Sequence, residues 1–256
     1  MTIRPLLAAL VLYCGRGLAQ NPPPSLTTVF NFTGGGDGGN PNAPLLIGSG
    51  GVLYGTTYWG GAKNCGAVFS LTPPATPGGT WTEALLYSFQ CDEDGANPNT
   101  RLVLGNGGVL YGTTYGGGYY ETGTAFSLTP PASPGGAWTK AKIYNFYGSF
   151  PPNGYGPDPA NGLLIGPAGV LYGSALYGGG SDFGCVFALA PPASQGKRWG
   201  ERTIYCFEDG GVFPQVSWNP HVVLGGDGLL YGTTRAGGDY GGQYGDGTVL
   251  YLKFVF

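Results

Sequence analysis

The heptapeptide GVLYGTT, Gly51 to Thr57, returns as GVLYGTT at Gly108–Thr114, GVLYGSA at Gly169–Ala175 and GLLYGTT at Gly228–Thr234. Its tyrosines, Tyr54, Tyr111, Tyr172 and Tyr231, stand 57, 61 and 59 residues apart. A period of this kind marks a repeat architecture. The chain therefore reads as four copies of one structural unit.

Three further segment types recur around that stretch. Before it come LLIG (Leu45–Gly48), LVLG (Leu102–Gly105), LLIG (Leu163–Gly166) and VVLG (Val222–Gly225), called type A, with the heptapeptide itself as type B. After it come AVFSLT (Ala67–Thr72), TAFSLT (Thr124–Thr129), CVFALA (Cys185–Ala190) and TVLYLK (Thr248–Lys253), type C. Type D comprises LTTVFNF (Leu26–Phe32), ALLYSF (Ala84–Phe89), AKIYNF (Ala141–Phe146) and RTIYCF (Arg202–Phe207). Short runs rich in β-branched and aromatic residues between Gly/Pro turns are strands. The order D, three times ABCD, then ABC predicts 16 strands. The leading D is the strand that the last unit lacks. The expected fold is an all-β, four-bladed β-propeller of four-stranded antiparallel blades, closed by an N-terminal strand completing the last blade. An open array that needs a partner is the structural alternative.

Loop lengths divide the molecule into two ends. The A-to-B spacing is 9 residues in every unit and the C-to-D spacing is 20 in all three complete cases, whereas D-to-A and B-to-C spacings vary. In an antiparallel meander the B–C and D–A loops share one face. Variable loops on one end of a repeat protein mark the expected binding face; tolerance of exposed loops to insertion is the plainer explanation.

The composition agrees with this architecture. The 256 residues include 52 Gly and 22 Pro, only 10% charged residues, and 18 Tyr, 13 Phe and 5 Trp as core material. Helix is nearly excluded. Residues 1–19 read as a secretory signal peptide, with Arg4 as the basic start, Pro5–Tyr13 as the apolar run and Gly17-Leu18-Ala19 at the cleavage positions. Residues 20–25 form a Pro-rich leader, and residues 26–256 a single four-repeat domain. The apolar run is too short to span a membrane. The formal net charge is −3, and loss of Arg4 and Arg16 makes the mature chain more acidic. Nucleic acid and anionic membrane surfaces are therefore not expected partners.

The recurring set GVLYGTT, a Gly-rich loop, GAVFSLTPP and PGG-x-WTEALLYSF, with Asn97-Pro98 between, resembles the extracellular Gloeo/Verruco tandem repeat, GloVer. The resemblance covers about residues 26 to 256. It implies an exported, repeat-built protein without an established activity. Members often carry a C-terminal surface-anchoring segment; with the sequence ending at Phe256, free secretion is the expectation.

Four cysteines follow the signal. Cys65 and Cys91 flank strands C and D of the first unit, and Cys185 and Cys206 lie in C and D of the third. Antiparallel neighbours keep the sum of their positions nearly constant, and the two pairs share nearly the same register. Two C–D disulfides are expected in an oxidising compartment, with free buried thiols as the alternative.

The variable face is aromatic. It carries Tyr58 and Trp59 in the first B–C loop, Tyr115, Tyr119 and Tyr120 in the second, Tyr177 in the third, and Arg235, Asp239, Tyr240, Tyr244 and Asp246 in the fourth. Flat rings stack on apolar sugar faces while amides, carboxylates and guanidinium groups bond hydroxyls, so this face suits a saccharide; packing between blades is the alternative. The tyrosines of LYG read as core. Just before strand A the four units hold Pro44, Arg101, Gly162 and His221. Across a four-bladed ring Arg101 and His221 face each other, as an anion-binding pair or with His221 as an acid or base. The loop CDEDGANP (Cys91–Pro98), with Asp92, Asp94 and Asn97, reads as turn residues, with calcium ligation as the alternative. No cofactor is expected. A Ser-His-Asp triad is unsupported with one histidine and no GxSxG, and no GxxxxGK[ST] occurs.

These readings converge on a secreted, monomeric binding or scaffold module for polysaccharide or another extracellular ligand. One rival is an extracellular polysaccharide lyase or hydrolase using His221, Arg101 and a carboxylate such as Asp158 or Asp239. The other is a structural surface protein that docks on a protein partner.

Overall fold

The computed structural model describes residues 26–146, 162–175, 184–194, 197–207, 222–234 and 248–253. The chain divides into a unit of residues 1–31 and a larger body, Phe32–Phe256. Within the first, the described residues 26–31 form no strand, and Leu26 is 97% exposed.

The body is all-β and built of four antiparallel sheets. The first holds β1 (Leu46–Ile47), β2 (Leu53–Thr57), β3 (Ala67–Thr72) and β4 (Thr82–Ser88). The second holds β5 (Val103–Leu104), β6 (Leu110–Thr113), β7 (Thr124–Thr129) and β8 (Thr139–Asn145). The third holds β9 (Leu163–Ile165), β10 (Leu171–Ala175), β11 (Cys185–Ala190) and β12 (Gly200–Cys206). The fourth holds β13 (Val222–Leu224), β14 (Leu230–Thr234) and β15 (Thr248–Leu252). Strands neighbour one another in chain order in every sheet.

The fourth sheet thus has three strands, and the expected strand Leu26–Phe32 does not form among the described residues. Among the described residues this corrects the count to fifteen. The reason lies in sequence distance. Every other D strand pairs with a C strand across one short loop, whereas the missing pairing would join the two ends of the chain, the most non-local contact available.

Each motif has a local cause. Gly55 of LYG lies opposite Phe69 in the ladder. A Cβ there would stand 2.5 Å from the tip of the Phe69 ring and 2.9 Å from Leu45. The ring folds over the bare backbone, and Gly112 and Gly173 lie beneath Phe126 and Phe187 in the same way. The invariant A–B spacing reflects a single tight turn with left-handed backbone at Gly50 and Gly107, where the third unit places Ala168 at φ 54°. The C–D pairing carries one bulge in each of the first three sheets, at Val68/Phe69, Ala125/Phe126 and Val186/Phe187.

The apolar cores lie between consecutive sheets. Val68 and Phe89 of the first unit close on Leu102, Leu110, Phe126 and Leu128 of the second. Ala125, Ile143 and Phe146 close on Leu163, Leu171, Phe187 and Leu189 of the third. Tyr172, Val186 and Phe207 close on Leu230 of the fourth. At each seam the last Phe of strand D meets the Phe of the next strand C edge-on, Phe89 to Phe126 and Phe146 to Phe187, both at 5.1 Å. Phe32 meets Phe69 in the same manner at 4.8 Å.

Candidate functional site

The B–C and D–A loops are hydrogen-bonded to each other. Gly39 bridges Trp59, and Ala96 bridges Gly116. The Asn-Pro motif supplies the joint between units. Asn97, held at φ 57°, accepts from the Tyr115 N–H at 3.2 Å through its carbonyl and gives its own N–H to the Cys65 carbonyl at 2.8 Å. Its side-chain amide donates to the Tyr58 carbonyl at 2.9 Å. One residue of the second D–A loop therefore clamps the B–C loops of two units.

The clamp gathers the aromatic residues. Tyr58 lies edge-on to Trp59 at 4.7 Å, and Tyr115 of the next unit is 6.4 Å from Tyr58. Trp59 and Tyr115 are 47% and 36% exposed, so the three rings form one open surface across two units. Tyr119 and Tyr120 form a second exposed pair at 4.9 Å, its backbone fixed where Asn145 Oδ1 accepts from the Tyr119 N–H at 3.1 Å. Arg101 is exposed, and its backbone lies against Gly162, the equivalent position of the next unit. Tyr177, His221, Arg235, Asp239, Tyr240 and Tyr244, with Asp158 and Asp246, lie outside the described residues, as does the 1–25 leader.

Three of the four LYG tyrosines pack against the cores between units, whereas the fourth, Tyr231, donates to Asp227 at 2.6 Å in an exposed setting. Tyr54 stands edge-on to Trp138 at 6.3 Å and Tyr111 to Trp199 at 6.0 Å, while Tyr172 is buried. Burial raises the pKa of Tyr111 and Tyr172.

The acidic loop after Phe89 is occupied by a cation from the protein itself. Lys140, only 6% exposed, donates to Asp94 Oδ1 at 2.7 Å and to the Asp94 carbonyl. Tyr87 Oη donates to the same carboxylate at 2.9 Å, and so does the Gln90 N–H. Burial lowers the Lys140 pKa, opposed by Asp94, and burial together with Asp94 raises that of Tyr87. The Asp94 carboxylate, a candidate calcium ligand by sequence, is thus already satisfied by an ammonium group. Sequence reading missed this lock because its partners lie 46 residues apart; the one visible signal was a pair of lysines, Lys140 and Lys142, at alternate positions of β8.

Two disulfides are formed. Cys185 and Cys206 are direct ladder partners with Cα atoms 4.1 Å apart. Cys65–Cys91 spans 5.5 Å just beyond the end of the β3–β4 ladder and ties a B–C loop to the following D–A loop. By loop-closure entropy each contributes on the order of 3 kcal/mol. Among the described residues no helix is long and apolar enough to cross a membrane, and no group of three His, Cys, Asp or Glu side chains comes together.

No curated protein matches the chain. Among solved structures, it is similar to a polysaccharide lyase, an ulvan lyase bound to a GlcA(1-4)Rha3S saccharide, at 13% identity and a TM-score of 0.45. The match covers 76% of this chain but 46% of that one, so the chain spans less than half the length of that protein. The Gloeobacter/Verrucomicrobia repeat model matches residues 19–157, more than half of the chain. The fourfold motif, the four sheets and this match agree, and the chain belongs to the Gloeobacter/Verrucomicrobia repeat family.

Proposed function

We propose that this protein is an exported, four-bladed propeller that binds saccharide on the face carrying its B–C and D–A loops. The observation that carries the binding reading is the Tyr58–Trp59–Tyr115 surface, three rings held by Asn97 across two units and open to solvent. Exposed rings in a fixed array offer flat apolar area at little entropic cost, which suits stacking on pyranose faces. Export is supported by the two disulfides, which persist in oxidising compartments.

Two features support ring closure. Phe32 meets Phe69 as Phe89 meets Phe126, so the residue ending the first D segment takes its place ahead of the first sheet. Val249 of β15 is 81% exposed, whereas the equivalent Val68 and Val186 are 0% and 1% exposed. A strand of this composition calls for a neighbour on that side.

The test is a glycan and polysaccharide binding panel on residues 20–256. Binding should weaken by at least about tenfold in Trp59→Ala, the loss of a stacking contact worth about 1.4 kcal/mol, with the thermal midpoint unchanged. Binding that Trp59→Ala leaves intact would move the site off this face.

A further inference from the structure

A cleft of about 600 Å³ opens between the second and third sheets, along the edge strand β8. Tyr120 of the B–C loop, Lys142 and Asn145 of β8, and Lys197, Arg198 and Trp199 ahead of β12 line it. Its charge is opposite to that of the whole molecule. Acidic residues outnumber basic ones in the chain, 14 to 11, yet among the described residues the lining holds three cations and no carboxylate. Such a concentration in a recess attracts anions against the global field.

The basic pair also breaks the repeat. Ahead of the conserved-in-register tryptophan, the first unit has Gly79-Thr80-Trp81 and the second Gly136-Ala137-Trp138, whereas the third has Lys197-Arg198-Trp199. The loop length is the same in all three, so turn geometry does not require the two charges. Among the described residues the ion pairs are Lys140 with Asp94 and Lys142 with Glu93, so Lys197 and Arg198 have no carboxylate partner there. Lys142 leans away, donating to the Glu93 carbonyl at 3.0 Å.

The remaining walls are flat and fixed. Trp199 is held edge-on against Tyr111 at 6.0 Å, and Asn145 fixes the loop that carries Tyr120. A planar guanidinium matches the two oxygens of a carboxylate or sulfate, and the adjacent ammonium adds a point charge. We propose that this cleft binds an acidic sugar residue, with its carboxylate or sulfate on Arg198 and Lys197 and its ring between Trp199 and Tyr120. The choice of a sugar rests on the saccharide reading above; the demand for a negative charge does not.

The test measures binding of residues 20–256 to polygalacturonate, dextran sulfate and neutral dextran at about 0.15 M salt, where surface charges beyond about 8 Å are screened. The wild type is expected to favour an acidic polymer over dextran by at least about tenfold. The double variant Lys197→Gln/Arg198→Gln should lose that preference while keeping its thermal midpoint, because both side chains are exposed. Preference for polygalacturonate alone assigns the site to carboxylates, for dextran sulfate alone to sulfates, and for both to the shared charge. Equal binding of dextran, or a double variant that keeps the preference, overturns the cleft proposal and leaves the Trp59 surface standing. Acidic binding that needs Lys197 and Arg198 but is indifferent to Trp59→Ala upholds the cleft and removes the aromatic face. No binding to any polymer overturns both.

Discussion

Lys140 and Asp94 form a 2.7 Å ion pair that joins the second sheet to the loop before it. One repeat earlier the same two places hold Glu83 and Asp37, two carboxylates. Asp37 keeps the local bonds of its counterpart, accepting from the Thr33 N–H at 2.8 Å as Asp94 accepts from Gln90. Glu83 has no ammonium to give; its Oε1 is buried without a hydrogen-bond partner. Burial, and then the charge of Asp37, raise its pKa above the ordinary carboxyl value of 4.5.

Replacing Glu83 with Lys should therefore install the second unit's lock in the first and raise the thermal midpoint. Because the folded pKa of Glu83 is raised, its ionisation opposes folding: the associated stability is full below pH 4.5 and declines as pH climbs through the folded value. Glu83→Gln should flatten that decline. Thermal melts of the wild type and both variants between pH 4 and pH 8 check the sign, and a wild-type midpoint that rises over the interval assigned to Glu83 would refute it.

Two orphaned hydroxyls in the first sheet have a similar origin. In the second unit Thr113 shares a hydrogen bond with Thr100 at 2.8 Å, and Thr114 with Thr124 at 3.0 Å. The first unit keeps Thr56 and Thr57 but has Ala43 and Ala67 as their partners, and both hydroxyl oxygens are buried and unsatisfied. Ala43→Thr with Ala67→Thr should restore both bonds and add about 1 to 2 kcal/mol of stability by denaturant unfolding. A loss instead would mean that the added methyl groups overfill the sheet.

The proposed ring closure would set a register that chemistry can trap. Cys185 pairs with Cys206 in the third unit; by repeat position their counterparts are Thr248 in β15 and Asn31 ahead of Phe32. Asn31→Cys with Thr248→Cys is expected to form an intrachain disulfide on mild oxidation, seen as loss of two free thiols with no change in mass on non-reducing gels. A covalent dimer would indicate strand exchange between chains, and two persistent free thiols would indicate an open array.

Asn97 separates backbone conformation from side-chain bonding. Asn97→Gly keeps the left-handed backbone but removes the bond to the Tyr58 carbonyl, for a cost of about 1 kcal/mol. Asn97→Ala loses the bond and adds backbone strain of about 1 to 2 kcal/mol. If the clamp aligns Tyr58 with Tyr115, both variants weaken saccharide binding more than a control such as Asn106→Ala in the turn before β6.

The parts of this molecule legible from sequence are those written within one repeat. GVLYGTT and its flanking segments located the strands to within a few residues, and the C–D register placed Cys185 opposite Cys206, because neighbouring strands joined by constant loops leave little freedom. The aromatic loops were also recognisable, but not that Tyr58 and Tyr115 share a surface. That depends on Asn97, whose side chain reaches a carbonyl 39 residues earlier. The Lys140 lock, the cleft beside Arg198 and the absent strand at Leu26–Phe32 are likewise matters between units, where periodicity gives no direct signal. The recurring bulge at Val68/Phe69 was invisible for a simpler reason: one extra residue in a strand leaves its composition unchanged.

That the apolar cores of the described residues sit at the seams changes what a repeat is. No sheet encloses Phe69, Phe126 or Phe187 by itself; each ring finishes the interior begun by its predecessor. The cooperative element is therefore the junction, and a chain cut at a repeat boundary would carry an unfinished half-core at each severed end. A variant with one repeat more or fewer would keep its junctions whole only if the segment added or removed ran from the middle of one sheet to the middle of the next.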